Sequence, residues 1–510
     1  MKRYLHHPLA LAACAALLAL GTISCQDHRL NPVPETTVSD QAVFTTPSRI
    51  TAQVNNLYGY VKTGGFLGGR IQIFSDIRAS DFINRTSNGV TGLSVWNHTL
   101  TEASQNDVIN TWGFGYAAIN QVNVFLDGLD ANADKLVAPA FPANYATVTA
   151  NNYRGEARLL RALSYYYLLQ LYARPYADGG GSKPGLPLRL KGETNDMNNN
   201  LVRSTVAQVY DQILLDLNFA ELNLPLSYTG STAATLNTTR AQRNTAIALK
   251  TRVYLSMGRY ADVIVEANKL VPAVAPFVAP TGVAHSLNSS IAAVFAPPQE
   301  TAETILAFPF TAQDAPGTQN QLAYYYLPAS QGGNGEYGLN TSAGGILTDP
   351  GFAATDARRT ALITTSGTES FLKKYPTGTP YTDKAPVIRY AEVLLNLAEA
   401  RFQTQGAGDA QALALLNAVY QRSNPTAVTT PPTPVKAYAA FTDPTTAINA
   451  VLLERRIEFL GEGLRNIDIM RLNATIPGKG SVPAIPNTST NYVWPIPSTE
   501  LAVNTLMTRN

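Results

Sequence analysis

The sequence predicts a mostly α-helical protein, in which tetratricopeptide-like helical hairpins form an α-α superhelix and carry a large, irregular, loop-rich subdomain. Apolar residues recur at helical spacing in long segments such as 153–172 and 389–402. Short glycine-containing turns, at 258–260 and 405–408, separate pairs of helical segments, as they do in antiparallel helical hairpins. Between residues 271 and 385 the helical patterns disappear, while proline, glycine, serine and threonine become frequent.

The N-terminal part of the chain predicts one helix and then a long loop. Thr46-Pro47 is a favourable helix start, because threonine caps a helix well and proline fits its first turn. Residues 64–104 are rich in glycine, serine, threonine and asparagine, and we interpret them as a long ordered loop region. Long irregular segments inside a compact domain often carry function.

The segment 153–172 is apolar on nearly all sides, which predicts a helix in the centre of the protein. Its arginines, Arg154, Arg158 and Arg161, are expected to pair with acidic faces of other helices. A capping box at 205–208 starts the next helix.

A helical hairpin at 243–270 approximates a tetratricopeptide repeat, and the hairpin after Arg389 is a looser copy. No strict period links the two, so the sequence predicts a degenerate helical array.

Glu454, Glu458 and Glu462 recur every four residues near the end of the chain. Such a ladder is usually an ion-paired helix face that fixes packing, and we favour that interpretation. A carboxylate pair for acid/base catalysis is the alternative, but no feature of the sequence places these side chains in a cleft. The proline-containing segment 493–497 then predicts an extended, non-helical segment near the end of the chain.

Composition excludes several classes of protein. The 510 residues carry a formal net charge of only +2, and no run of lysine and arginine follows the N-terminus, which argues against a nucleic-acid binder. Beyond residue 25 the histidines are His28, His98 and His285, and they are scattered. The sequence therefore predicts no catalytic residues, no metal site and no cofactor. The spacing of glycines at 333–338 matches a dinucleotide-binding motif, but it lacks the flanking strand and helix and predicts a loop.

The N-terminus predicts a targeting segment. Lys2 and Arg3 precede an apolar stretch at 9–20 that is too short for a stable membrane span. Small residues then lead to Cys25, a pattern typical of a bacterial lipoprotein signal with Cys25 as the lipid-bearing residue. Cys14 also fits the local pattern, but too little apolar sequence precedes it.

This interpretation assigns residues 1–24 to a signal peptide and residues 25–40 to a polar, proline-containing tether. The chain has two cysteines. Cleavage would remove one and acylation would use the other, so thiol catalysis and cysteine-ligated metal sites would be excluded.

Aromatic residues in loops are the best candidates for ligand contacts. Aromatic faces stack on the apolar faces of sugar rings, and neighbouring polar side chains satisfy the hydroxyl groups. We predict Trp96, Tyr324, Tyr325 and Tyr337 as ligand-facing residues, because they lie outside the helical stripes. The alternative for each is local packing within its loop.

Several of these segments together resemble the SusD/RagB family of outer-membrane lipoproteins from Bacteroidota. The matching segments follow the same order as in the family and span nearly the whole mature chain. Each segment alone would be weak evidence, and only their combination is specific. The segments that carry it are the lipoprotein start, the Arg154-Gly155-Glu156-Ala157-Arg158 helix, the 239–270 hairpin, Arg389-Tyr390-Ala391-Glu392-Val393-Leu394-Leu395, Glu454-Arg455-Arg456-Ile457-Glu458-Phe459, Gly461-Glu462-Gly463-Leu464-Arg465 and Trp494-Pro495-Ile496-Pro497.

The resemblance implies four tetratricopeptide-like helix pairs, with helical regions at 41–270 and 386–510 and a loop-rich insertion at 271–385 on the ligand side. It implies a non-enzymatic, surface-exposed protein that binds an oligomeric nutrient, such as an oligosaccharide, and delivers it to a SusC-like TonB-dependent transporter. The ligand is not implied, and starch, other glycans and peptides stay open. The alternatives are a surface glycoside hydrolase and a helical-repeat scaffold for proteins.

Overall fold

The computed structural model describes residues 43–424 and 436–510, so the predicted signal peptide, the tether and Cys25 lie outside the described residues. Helices numbered from the first described one are α1 Pro47–Val61, α2 Arg70–Ile77, α3 Leu93–Trp96, α4 Asn110–Ala131, α5 Ala150–Tyr172, α6 Val206–Asn223, α7 Ala233–Thr239, α8 Arg243–Ser256, α9 Tyr260–Ala267, α10 Ile291–Phe295, α11 Leu322–Tyr326, α12 Ala357–Leu362, α13 Tyr390–Gln405, α14 Ala410–Ser423, α15 Pro444–Glu458, α16 Arg465–Arg471 and α17 Ser498–Val503. The strands are β1 Phe82–Asn84, β2 Thr304–Phe308, β3 Tyr337–Leu339, β4 Ile363–Ser366, β5 Glu369–Leu372 and β6 Ala385–Arg389.

The long helices pack side by side in one continuous series. Helix α1 packs on α4, α4 on α5, α5 on α6, α6 on α8, α8 on α9 and α9 on α13, while α14 and α15 both pack on α13. The hairpins α8/α9 and α13/α14 are the two that the glycine turns predicted. The mostly α-helical, tetratricopeptide-like fold class is therefore confirmed.

Local signals in the sequence start two of these helices as predicted, whereas Thr46 precedes α1 without a capping hydrogen bond from its side chain. The Thr205 hydroxyl accepts a hydrogen bond from the Gln208 amide, and the Gln208 side chain accepts one from the Thr205 amide, which completes the capping box of α6. Asp409 caps α14 by accepting a hydrogen bond from the Ala412 amide. The central position of α5 is also confirmed, because its side chains from Leu159 to Tyr172 are buried.

The predicted ion pairs of α5 form as well. Arg161 binds Asp216 of α6 through two nitrogens at 2.7 and 2.8 Å, and Arg158 lies 4.0 Å from the same carboxylate. Arg154 pairs at 2.9 Å with the exposed Asp130 of α4.

The prediction of a continuous loop at 64–104 is wrong, because α2 lies inside that segment and all eight of its residues are buried. Four of its eight residues, Arg70, Gln72, Ser75 and Asp76, are polar and yet buried, so the polar positions do not mark an exposed face as they do in an amphipathic helix. The glycines before α2 let its start press against another loop. A Cβ atom at Gly64 would lie 1.9 Å from the Pro316 carbonyl oxygen, and one at Gly69 would lie 1.9 Å from that of Asn320.

The segment 271–385 contains only short helices and strands, as predicted. Three antiparallel two-stranded sheets pair β1 with β3, β2 with β6 and β4 with β5. The β2–β6 sheet connects this segment to the helical array, because β6 runs directly into α13.

The glutamate ladder forms the buried centre of the C-terminal region. Glu454 and Glu458 are fully buried and Glu462 nearly so. Glu458 binds Arg389 at 2.9 Å, Arg422 at 2.5 Å and Arg358 at 3.0 Å. We call these residues, with Glu303, Lys374 and Asp356, the ion network.

Burial alone would raise the pKa of Glu458, but Arg422, Arg389 and Arg358 outweigh it and hold that pKa well below its ordinary value. The structural interpretation of the ladder is therefore confirmed. These carboxylates hold neighbouring segments together through buried arginines.

Candidate ligand-binding site

The predicted ligand-facing aromatics lie on two loop segments that one small sheet holds together. In this sheet Phe82 of β1 pairs with Leu339 of β3, and Asn84 pairs with Tyr337. The Arg85 amide extends the pairing by donating to the Glu336 carbonyl oxygen. The segments 78–104 and 319–340, far apart in sequence, therefore form one surface.

Trp96 ends the short helix α3 and keeps part of its ring at the surface. Its Nε1 donates a 3.1 Å hydrogen bond to the Phe82 carbonyl oxygen, which fixes the indole at one end of β1. Helix α3 needs Gly92 before it, because this residue has φ 87° and a Cβ there would lie 2.9 Å from the Ile77 side chain. The Lys479 ammonium nitrogen lies 5.5 Å from the centroid of the indole.

Tyr324 lies beyond the other end of the same sheet and is also partly exposed. Its hydroxyl accepts a 3.1 Å hydrogen bond from the Asn334 amide and donates to Glu336 at 3.4 Å. Tyr381, from the loop before β6, packs edge-on against the Tyr324 ring at 6.1 Å. The two rings and the Asn334 amide together present aromatic and polar groups on one patch.

Tyr325 and Tyr337 lie in the hydrophobic core, which contradicts their predicted place on the ligand side. Both are fully buried, and their rings stack on each other at 6.2 Å. The Tyr325 hydroxyl donates to the Gln319 carbonyl oxygen and the Tyr337 hydroxyl to that of Thr91, each at 2.8 Å. Packing within the loop, the alternative considered from the sequence, accounts for both. Neither ring offers a face to a ligand in this fold.

The candidate site therefore consists of two aromatic positions, Trp96 and Tyr324. The indole is hydrogen-bonded to Phe82 at one end of the β1–β3 sheet, and Tyr324 is hydrogen-bonded to Glu336 beyond the other end. The roles of Trp96 and Tyr324 in binding stay predictions.

Polar side chains from the β4–β5 hairpin border the Tyr324 patch. Gln331 donates a 2.8 Å hydrogen bond to Thr364, and Arg85 packs over the Phe371 ring at 5.0 Å while pairing with Glu369. Uncharged hydroxyl and amide groups with a few paired charges are suited to hydrogen-bonding sugar hydroxyls.

Tyr381 and Lys479 belong to this site, but sequence reasoning missed them. Tyr381 follows a proline in a glycine- and threonine-rich loop, so its aromatic ring in a loop was a signal of the same kind as Tyr324. No sequence signal marks Lys479, because its position depends on a hairpin, residues 476–485, that folds back onto Trp96 and His98.

The comparisons with known proteins agree with this architecture. Residues 39–255 match the family described as "Starch-binding associating with outer membrane", and residues 354–510 match the one described as "SusD family". A SusD superfamily protein from Bacteroides fragilis, known from its crystal structure, is 32% identical in sequence with a TM-score of 0.76. The alignment covers 91% of this chain and 99% of that one. The chain belongs to the SusD/RagB family.

Two other proteins share the fold or part of the sequence of this chain. Surface glycan-binding protein A from Bacteroides uniformis has the same fold, with a TM-score of 0.67, 20% identity and coverage of 91% of this chain and 99% of that one. SusD-like protein P38 from Formosa agariphila is 23% identical over 249 residues. That match spans 48% of this chain and 42% of the relative's length.

The two family matches leave residues 256–353 between them, and this interval contains Tyr324. Trp96 lies inside the first match. Within the described ranges 43–424 and 436–510, no helix combines the length and apolarity that crossing a membrane requires.

Proposed function

We propose that this SusD/RagB protein is a lipid-anchored outer-membrane protein, exposed at the cell surface, that binds an oligosaccharide and delivers it to a SusC-like TonB-dependent transporter. It acts as a binding protein and not as an enzyme. Cys25 carries the lipid, the helical array provides the rigid body, and the loop surface with Trp96 and Tyr324 faces the ligand.

Family membership is the observation that carries this proposal. One matched family is described by starch binding and association with the outer membrane. Proteins of the same fold include one named as a putative sugar-binding protein, from Bacteroides vulgatus, and the surface glycan-binding protein A. These names belong to the relatives, and they support a glycan as the ligand class here.

The geometry of the loop surface supports the same ligand class. Trp96 and Tyr324 are both partly exposed, and each is held in place by hydrogen bonds. Each ring lies beside polar groups: Lys479 next to Trp96, and Asn334 next to Tyr324. Aromatic faces with adjacent hydrogen-bonding groups are the usual means of binding sugars.

The glycoside hydrolase alternative needs two carboxylates that flank a cleft. The regularly spaced glutamates do not meet this need, because Glu454 and Glu458 are buried and paired with arginines. The scaffold alternative predicts protein partners without affinity for a small ligand, and the exposed aromatic positions favour binding over it.

A pull-down from native outer membranes tests the delivery part of the proposal. The tagged full-length protein is purified in mild detergent, and co-purified proteins are identified by mass spectrometry. We expect a large β-barrel transporter to co-purify at equal stoichiometry. A Cys25→Ala variant is the control for anchoring, and it should no longer be found in the membrane fraction. Purification of the protein alone would contradict the transport role, and release of reducing sugar from polysaccharides would instead support the hydrolase.

A further inference from the structure

Three basic residues form a cluster beside Trp96, and we call Arg78, His98 and Lys479 the basic cluster. Arg78 is 3% exposed and Lys479 is 4% exposed, while His98 is partly buried. Buried charges in proteins are normally paired with an opposite charge, because removing a lone charge from water is expensive.

Among the described residues, Arg78 has no carboxylate partner. Its Nη1 donates to the Asn466 side-chain oxygen at 3.1 Å, and its Nη2 donates to the Tyr492 carbonyl oxygen at 2.5 Å and to that of Asn491 at 3.3 Å. These acceptors are neutral. The positive charge of this guanidinium is therefore hydrogen-bonded but not compensated.

Lys479 also lacks a carboxylate partner within the described part of the chain. Its Nζ donates a 2.8 Å hydrogen bond to the Arg78 carbonyl oxygen, lies 3.1 Å from His98 Nε2, and lies against the Trp96 ring. Burial and, to a smaller extent, the positive charge of Arg78 together lower the pKa of Lys479 to about 6. A nearby anion would reverse this effect.

His98 lies between two carbonyl oxygens. Its Nδ1 is 3.2 Å from the Pro483 oxygen, and its Nε2 is 3.0 Å from the Arg78 oxygen. Burial, and then the positive charge of Lys479, lower the pKa of His98 to about 4, so the ring is neutral at neutral pH and donates through only one of its nitrogens. The backbone of His98 has φ 59°, an uncommon conformation for a residue other than glycine, so the surrounding contacts hold this residue firmly in place.

The lack of a carboxylate partner at Arg78 and Lys479 is unusual among the deeply buried cations of the described residues. Arg389 binds Glu303, Glu458 and Glu462, and Arg252 binds Glu392 through two nitrogens at 2.6 Å. Most of the other buried cations are paired with a carboxylate in this way, although Arg70 donates only to the Asn320 side-chain oxygen and the Asn106 carbonyl oxygen. The basic cluster places Arg78 and Lys479 together, and among the described residues neither has a carboxylate partner.

A cavity of about 150 Å³ adjoins the cluster and is lined by Arg78, His98, Thr490 and Asn491, among others. Its volume suits one small chemical group better than a whole sugar unit. Glu102 also lies on its wall and is paired at 2.6 Å with Arg509, which lines the cavity too. Because these two charges compensate each other, the positive charge at the cavity comes from Arg78.

We propose that the basic cluster is a subsite for an oxyanion, the carboxylate or sulfate group of an acidic sugar whose ring lies on Trp96. This inference rests on the proposed function and refines it, because it assigns the ligand to acidic oligosaccharides. The oxyanion supplies the negative charge that Arg78 lacks, and His98, which lines the cavity, connects it to Lys479 and through Lys479 to the indole ring.

Inorganic sulfate tests the subsite without any glycan. Sodium sulfate is titrated against the wild-type protein at constant ionic strength, and thermal unfolding is measured. We expect a saturable rise in Tm for the wild type and for Lys183→Met, which removes an exposed lysine elsewhere. We expect no saturable rise for Lys479→Met. An equal rise in Lys479→Met, or no saturable rise in the wild type, would overturn the proposal.

The second arm asks whether the anion belongs to a sugar. A uronic-acid-containing oligosaccharide and its carboxyl-reduced, neutral counterpart are compared by calorimetry with the wild-type protein. We expect the acidic form to bind roughly tenfold more tightly, a difference that corresponds to about 1.4 kcal/mol. A sulfated oligosaccharide and its desulfated form make the second pair, and Lys479→Met should lose the preference in both.

The outcomes separate this inference from the proposed function. Equal affinity for acidic and neutral oligosaccharides would overturn the subsite and leave glycan binding intact. Saturable binding of sulfate with no preference for either acidic oligosaccharide would also overturn the assignment to acidic sugars. If no oligosaccharide binds, glycan binding itself is contradicted, and the sulfate titration alone decides whether the cluster holds an oxyanion.

Discussion

Arg389 Nη1 lies 2.9 Å from Glu458 Oε1, although 69 residues separate the two in the sequence. The contact joins the start of the hairpin α13/α14 to the end of α15. Glu458 is shared with Arg422 and Arg358, so one carboxylate connects three buried arginines. The ion network is therefore a determinant of how the C-terminal helices pack.

Glu458→Gln should lower the free energy of unfolding by about 3–5 kcal/mol, because the change leaves buried guanidinium charges without their main partner. The measurement is urea denaturation followed by circular dichroism. Asp130→Asn is the matched control, since its ion pair with Arg154 involves an aspartate that is 70% exposed. That control should cost at most about 1 kcal/mol. Equal costs for the two variants would show that burial of the network contributes nothing.

The stability of Asp107→Asn, relative to that of the wild type, should be greater at neutral pH than at acidic pH. Asp107 is 2% exposed, and its Oδ1 has no hydrogen-bond partner among the described residues. Burial raises the pKa of Asp107 to about 7, against a smaller opposing effect of Arg70. The folded protein therefore holds a proton that the unfolded chain releases near pH 4, and its stability falls as pH rises from about 4 to about 7.

The asparagine variant lacks this loss, so its stability relative to wild type should rise by at most about 1.4 kcal/mol per pH unit over that range. Urea unfolding at several pH values measures it. The exposed substitution Asp211→Asn is the control and should show no such trend. A pH-independent difference for Asp107→Asn would mean that the carboxyl is not protonated in the folded state.

Tyr324→Ala and Tyr325→Ala should separate binding from stability, although the two residues are adjacent. Tyr325 is fully buried and stacked on Tyr337, so its truncation should cost about 3–5 kcal/mol of stability, as for other large aromatic residues in cores. Tyr324 is partly exposed, so its truncation should cost far less and should weaken glycan binding. Thermal unfolding and calorimetry distinguish the two, and a reversal of the pattern would contradict the assigned exposures.

Gly463→Ala should destabilise the protein by at least about 1–3 kcal/mol. Gly463 has φ 78°, and a Cβ there would lie 2.6 Å from the backbone Cα of Gln72. Its amide also donates a 2.9 Å hydrogen bond to the buried Asp76. Gly408→Ala is the control, because that glycine has open space around it and an ordinary φ. Equal Tm values for the two variants would contradict the close approach of the two backbones.

Most of the fold could be predicted from the sequence because amphipathic periods and capping residues act locally. The capping box at Thr205, the Asp409 cap and the paired arginines of α5 are examples. Helix α2 could not be predicted in the same way, since its polar residues are buried together with its apolar ones and mark no exposed face. The ion pairs of Glu458 were predicted as a type, but the identity of its partners depends on contacts between distant segments.

The candidate site was predictable only in part. Trp96 and Tyr324 follow from the rule that aromatic residues in loops tend to contact ligands, but the same rule wrongly included Tyr325 and Tyr337. A sequence does not say which of two neighbouring tyrosines points into the core, because the sheet β1–β3 and the loop at Thr91 decide it. Lys479 carries no local signal, and its importance follows from the absence of a carboxylate around it in the folded protein.

The most direct measurement of the central claim is glycan binding by the wild type, Trp96→Ala and Phe114→Ala. A glycan array first selects an oligosaccharide, and isothermal titration calorimetry then measures the three affinities. Phe114 is the control, an aromatic residue that is 39% exposed on α4 outside the candidate site. We predict that Trp96→Ala weakens binding by roughly tenfold, the effect of about 1.4 kcal/mol, with an unchanged Tm, and that Phe114→Ala binds like the wild type. Equal affinities for all three proteins, or no binding of any glycan by the wild type, would contradict the account.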